Sequence, residues 1–204
     1  QSDVHTKLDQ IYSTKCKKEE INVNDKCVKY GSKEAQKTML ELLNMKSKSI
    51  DPNFVIGPRQ ILSNCWLNSF FMCYFISDKG RKFFRNFRRM MITGEKVKGG
   101  KKISPKYKTG LWLLNKTIQA SLGWSMNSEK FIINADTNDI LRLLRKGDSK
   151  KIVDVNKPWN PLTFYKTLFD ILGLTEGVKY VKIYLKDDFE NIVKNKKIYT
   201  DVKN

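Results

Sequence analysis

Cys65 lies in Gln60-Ile-Leu-Ser-Asn-Cys-Trp-Leu-Asn-Ser69, where two amide side chains, Gln60 and Asn64, come shortly before a thiol that opens an apolar run. A thiolate at a helix N-terminus is stabilised by backbone N–H groups that have no acceptor inside the helix. A neighbouring amide can donate to the oxyanion formed when the sulfur attacks a carbonyl. The chemistry this arrangement allows is acyl transfer, with Cys65 as nucleophile and a nearby amide as oxyanion donor. Gln60 and Asn64 are rival donors, and Asn64 would equally serve as the N-cap of the helix. The base is the missing part: the only histidine is His5, sixty residues upstream in a polar leader. The bland alternative for Cys65 is a small core residue, since free cysteines are among the most buried side chains.

The element that must carry the thiol is a helix over Asn64–Ile76, nearly continuously apolar and so expected to be buried on most sides. Cys73 sits eight residues after Cys65, on roughly the same face, and reads as core. Residues 1–32 are polar and rich in lysine and read as an arm. Residues 33–45 read as a first helix, with Ser32 as N-cap. Residues 47–58, with two prolines and a glycine, form a loop that delivers the chain to the cysteine. An amphipathic helix over Arg81–Ile92 places Phe83, Phe84, Phe87, Met90 and Met91 on one side, expected to face the core. Gly94–Ser104, with Gly99-Gly100, reads as a mobile loop and lacks the context of a phosphate loop. Further helices are expected over residues 111–122, 137–146 (capped by Asp136 or Thr137 and closed by Gly147) and 162–172 (ended by Gly173). Residues 178–185 and 198–202 carry strand patterning. The fold class is therefore α+β, helices first and the start of a sheet afterwards.

Lys and Arg number 39 against 21 Asp and Glu, a formal charge of +18, so anionic partners are favoured: nucleic acid, an acidic protein face or a membrane surface. A basic composition bias running through the whole chain is the competing explanation. The charge is also local, for residues 79–102 hold ten cations and one acid, half of the net charge. Arg81, Lys82, Arg85, Arg88 and Arg89 are the candidate anion-binding residues. The four cysteines, Cys16, Cys27, Cys65 and Cys73, follow neither a disulfide framework nor a zinc pattern, so the chain reads as reduced and intracellular, with no metal and no cofactor. No apolar run is long enough to cross a membrane.

The box Cys65-Trp-Leu-Asn-Ser69 resembles the cysteine box of ubiquitin-specific proteases, and Cys65-Trp66 is similar to papain and calpain relatives. Over about residues 57–94 the chain looks like cysteine peptidases of large DNA viruses, which pair an Asn-Cys-Trp box with a basic segment similar to Ser77-Asp-Lys-Gly-Arg-Lys-Phe-Phe84. The resemblance implies a papain-like domain over residues 47–204, preceded by the arm and first helix of residues 1–46. It implies a hydrolase acting on a protein or ubiquitin-like substrate, in the host cytoplasm or the virion, with Cys65 as nucleophile, Gln60 as oxyanion donor and Trp66 packed beside the thiolate. Four residues separate Gln60 from Cys65, one fewer than in papain and calpain types. Those families take their histidine from a strand well after the cysteine helix, so the domain is expected to be incomplete at its C-terminus and inactive as this polypeptide. The alternative expectation is an inert virion component, a minor capsid or scaffold protein, that binds acidic capsid partners or nucleic acid through its basic surface.

Overall fold

The computed structural model describes residues 2–13, 15–44, 53, 55–96, 102–123, 125–149, 152, 154–155 and 157–174, with side chains from residue 6 onward. The leader is no arm. Leu8, Ile11 and Tyr12 stand at helical spacing, and the helix they define, α1 (Ser2–Ile11), buries all three. A hairpin follows, β1 (Glu20–Val23) against β2 (Lys26–Lys29), with Val23 paired to Lys26. Its turn residues Asn24 and Asp25 take φ of 50° and 60°, the left-handed pair that lets a two-residue turn follow the twist of its strands. Ile21 of β1 is fully buried, so this sparse segment supplies part of the core.

The cysteine reading is corrected here as well. Cys16, in the turn after α1, is bonded to Cys27 of β2, with their Cα atoms 5.4 Å apart. Cys65 and Cys73 are both free and exposed, so Cys73 is not core.

The helix α2 (Lys33–Asn44) starts as its sequence dictates, the Ser32 hydroxyl accepting from the Ala35 N–H at 3.1 Å. The expected single helix at the cysteine is two pieces. The first, α3 (Cys65–Phe71), buries Trp66, Leu67, Phe70 and Phe71, and it runs on as a π-helical stretch over Met72–Ile76. The joint to the next helix, α4 (Asp78–Phe83), is tight. The Ser77 hydroxyl donates to the Cys73 carbonyl at 2.6 Å and accepts from the Gly80 N–H at 3.1 Å. A Cβ on Gly80 would lie 2.4 Å from the Cys73 carbonyl oxygen. The Ser77-to-Phe84 segment that carries part of the resemblance is thus a structural elbow, with glycine required where two backbones meet.

A break at Phe84 separates α4 from α5 (Arg85–Thr93). It divides the expected apolar stripe: Phe84, Phe87, Met90 and Met91 face the core, while Phe83 is 70% exposed. After the described base of the Gly94–Ser104 loop, closed by the Glu95–Lys102 bridge, comes α6 (Pro105–Ser121), buried without interruption from Gly110 to Ser121. Gly99-Gly100 lies outside the described residues. Against α6 pack α5, α7 (Met126–Asn134) and α8 (Asn138–Gly147). Gly110 permits the closest approach, since a Cβ there would sit 2.8 Å from the Leu144 side chain. The last described helix, α9 (Pro161–Leu172), begins at the Asn160 cap and ends at Gly173 with φ of 74°, as expected. Its Phe164, Tyr165 and Phe169 join Trp66, Phe70, Tyr74, Phe84 and Phe87 in one continuous set of ring contacts. The fold is α+β, mostly helical, with one small antiparallel hairpin. The strands expected over 178–185 and 198–202 lie outside the described residues.

Candidate functional site around Cys65

Cys65 is the first residue of α3, and its side chain is exposed. What precedes it is held from below. Asn64 is fully buried and does not cap the helix; its Oδ1 turns back to accept the Ile61 N–H at 2.9 Å, and its Nδ2 donates to Thr137 Oγ1 at 2.8 Å. The Thr137 hydroxyl donates onward to Asn68 Oδ1 at 2.9 Å. Asn68 Nδ2 reaches the Arg59 and Pro58 carbonyls at 3.2 and 3.4 Å. Asn138 Nδ2 donates to the Ile61 carbonyl at 2.9 Å.

Four side chains from α3 and the start of α8 therefore fix the backbone of residues 58–64. A buried polar network of this kind is costly when incomplete and rigid when satisfied. The segment it fixes includes Leu62, which takes φ of 58° and leaves its side chain 57% exposed. A branched residue in the left-handed region is strained, and such strain persists only where the surroundings over-determine the backbone.

Asn64 cannot serve as oxyanion donor from this position, because burial and the Thr137 hydroxyl hold its amide inside. Gln60 is exposed on the fixed segment and keeps the role available. The Asn64 side chain leaves the first-turn N–H groups of α3 uncapped, next to the Cys65 sulfur. Trp66 is buried with its ring edge-on to Trp159 and Phe164, at 5.6 and 5.3 Å, which anchors the helix one residue beyond the thiol. His5 lies in α1.

The candidate anion-binding residues divide. Lys82, Arg85 and Arg89 are exposed, Arg85 also donating to Asn44 Oδ1 at 3.0 Å. Arg81 is paired with Asp78 at 2.6 Å, and that hydrogen bond holds the Asp78 carboxyl below its ordinary value. Arg88 is not a surface residue at all. It is 4% exposed, with Nε on Asn115 Oδ1 at 2.9 Å and Nη2 on Gln119 Oε1 at 2.7 Å. Helical periodicity puts it on the α6 side of α5, and burial there pulls its pKa down to about 10. It is a bolt between α5 and α6.

Sequence reasoning missed Thr137 as a site residue, reading it only as a possible cap. Thr137 is the N-cap position of α8 but its side chain makes no cap bond; Asp136 Oδ1 accepts from the Asn138 N–H at 2.9 Å instead, and the Thr137 hydroxyl is left for the network. No local pattern ties position 137 to position 64. Set beside known proteins, the chain matches no family model, no curated protein and no solved structure.

Proposed function

We propose that this chain is part of a papain-like cysteine peptidase in which Cys65 is the nucleophile and Gln60 donates to the oxyanion. The observation that carries the reading is an exposed thiol at the start of α3, one residue after a turn held by the buried Asn64–Thr137–Asn68 network. In the reaction the Cys65 sulfur bonds to a peptide carbonyl carbon, and the Gln60 amide and uncapped N–H groups meet the negative oxygen. The C–N bond then breaks, the departing amine takes a proton from the base, and water hydrolyses the thioester. The base is assigned to a histidine outside the described side chains. The substrate class is a protein or a ubiquitin-like protein, by the resemblance of the cysteine box.

An activated acyl ester of a short peptide tests this reading. The expected result is an acyl adduct on Cys65, recovered by mass spectrometry after an acid quench and absent in Cys65→Ala. Acylation spread equally over Cys65 and Cys73 would count against it.

The second reading is an inert virion component, and one observation favours it. The Cys16–Cys27 bond suits an oxidising setting such as a particle surface better than a reducing cytoplasm. Under that reading Cys65→Ala leaves particle assembly intact, while neutralising Arg85 and Arg89 impairs it.

A further inference from the structure

Phe83 stands apart from every other phenylalanine near it. Phe84 and Phe87 are buried in the ring cluster, whereas Phe83 is 70% exposed at the end of α4. It is held out, not loose: its ring meets Phe84 edge-on at 4.9 Å, and Phe84 is in turn packed on Tyr74, Phe75 and Phe87. The break between α4 and α5 falls at Phe84, so the exposed ring ends one helix and the buried ring begins the joint to the next.

The surroundings of that ring are cationic. Lys79 and Lys82 stand four and one residues before Phe83 on α4 and are both exposed, and Arg85, Asn86 and Arg89 on the following α5 are exposed too. The sequence from Lys79 to Gly94 contains no acid, and Asp78 is occupied by Arg81. An exposed flat ring on a rigid base, with four exposed cations nearby in the sequence and no acid paired to them among the described residues, has the two parts of a single-strand nucleic-acid surface: a face on which a base stacks and charges that follow the phosphates. A membrane surface fits less well. Interfacial helices bury a whole apolar face, and here that face is already used inside the protein, leaving one ring. A duplex fits less well too, because its bases are stacked on one another and offer the ring no free face.

We infer that the α4–α5 surface binds single-stranded nucleic acid, with Phe83 stacking on a base and Lys79, Lys82, Arg85 and Arg89 contacting phosphates. This surface is independent of the Cys65 chemistry and survives if that reading fails.

The test is fluorescence anisotropy of the full chain with labelled poly-deoxythymidylate. Phe83→Ala should weaken binding about tenfold, in the range set by loss of one stacked base, while Phe83→Trp keeps it. Lys79→Gln with Lys82→Gln should flatten the log-affinity against log-salt slope by roughly 1.4, two phosphate contacts on a single strand. Phe83 is exposed, so an unchanged thermal melt for Phe83→Ala shows that the fold is kept. Equal affinity of Phe83→Ala and the parent chain would overturn the inference. So would duplex DNA or anionic phosphatidylserine vesicles binding more tightly than the single strand, with loss in Phe83→Ala.

Discussion

Thr137 shows how one hydroxyl can set the geometry of a distant thiol. It accepts from Asn64 and donates to Asn68 while 1% exposed, and Asn64, itself fully buried, has no water to turn to when the hydroxyl is removed. Thr137→Ala leaves the buried Asn64 amide nitrogen without this acceptor and takes a donor from the half-buried Asn68, and an unsatisfied buried group costs about 1–3 kcal/mol. The expected result is a fall of about 2 kcal/mol or more in urea unfolding, largely restored in Thr137→Ser. A loss no larger than that of an exposed threonine would show that the network does not hold the 58–64 segment. Type and spacing single out Cys65, Gln60 and Asn64; the structure leaves Cys65 and Gln60 exposed and turns Asn64 inward. The direction of the Asn64 amide was not legible, because it is decided by a residue 73 positions later.

At the scale of elements, the readable ones announced themselves by periodicity and end signals: α2 with Ser32, α8 with Asp136 or Thr137 before it and Gly147 closing it, α9 with Gly173 after it. Those that were missed have short or unusual signals. The α1 stripe is short, Leu8 and Ile11 with Tyr12 just past the helix, among polar residues, and the capping box of α7 uses Ser128 where glutamate or glutamine is usual. The π-helical stretch at Met72–Ile76 arises from the elbow at Ser77 and Gly80, which no periodicity announces. Glycine at position 110 carries a sharper expectation. In an open helix Gly→Ala stabilises by about 1 kcal/mol, yet here the new methyl would meet Leu144 at 2.8 Å and its backbone nitrogen at 3.0 Å. Overpacking of that kind costs about 1–3 kcal/mol, so Gly110→Ala should lower the melting temperature. A rise would mean that α6 and α8 can separate without loss.

The whole molecule carries its excess charge inward as well as outward. Lys116 of α6 is 4% exposed, its Nζ donating to the Glu20 and Lys18 carbonyls at 2.7 and 3.1 Å, and burial lowers its pKa to about 8. The ordinary lysine value is 10.5, so between those values the unfolded chain binds more protons than the folded one. Stability must then rise with pH from about 8 upward, as the buried ammonium is relieved of its proton. Denaturation midpoints should climb between pH 8 and 10, by up to about 2 kcal/mol, and the climb should vanish in Lys116→Met. A flat profile would place the ammonium in water. Among the described residues no helix is long and apolar enough to cross a membrane.

A scaffold that prepares the Cys65 sulfur to attack, as proposed, has its own control in the same chain. Cys65 and Cys73 are both free and exposed, on one continuous helical run, but only Cys65 stands at its start. Alkylation by iodoacetamide near pH 6, read peptide by peptide, should modify Cys65 at least about tenfold faster than Cys73. Equal rates at the two sulfurs would contradict the account.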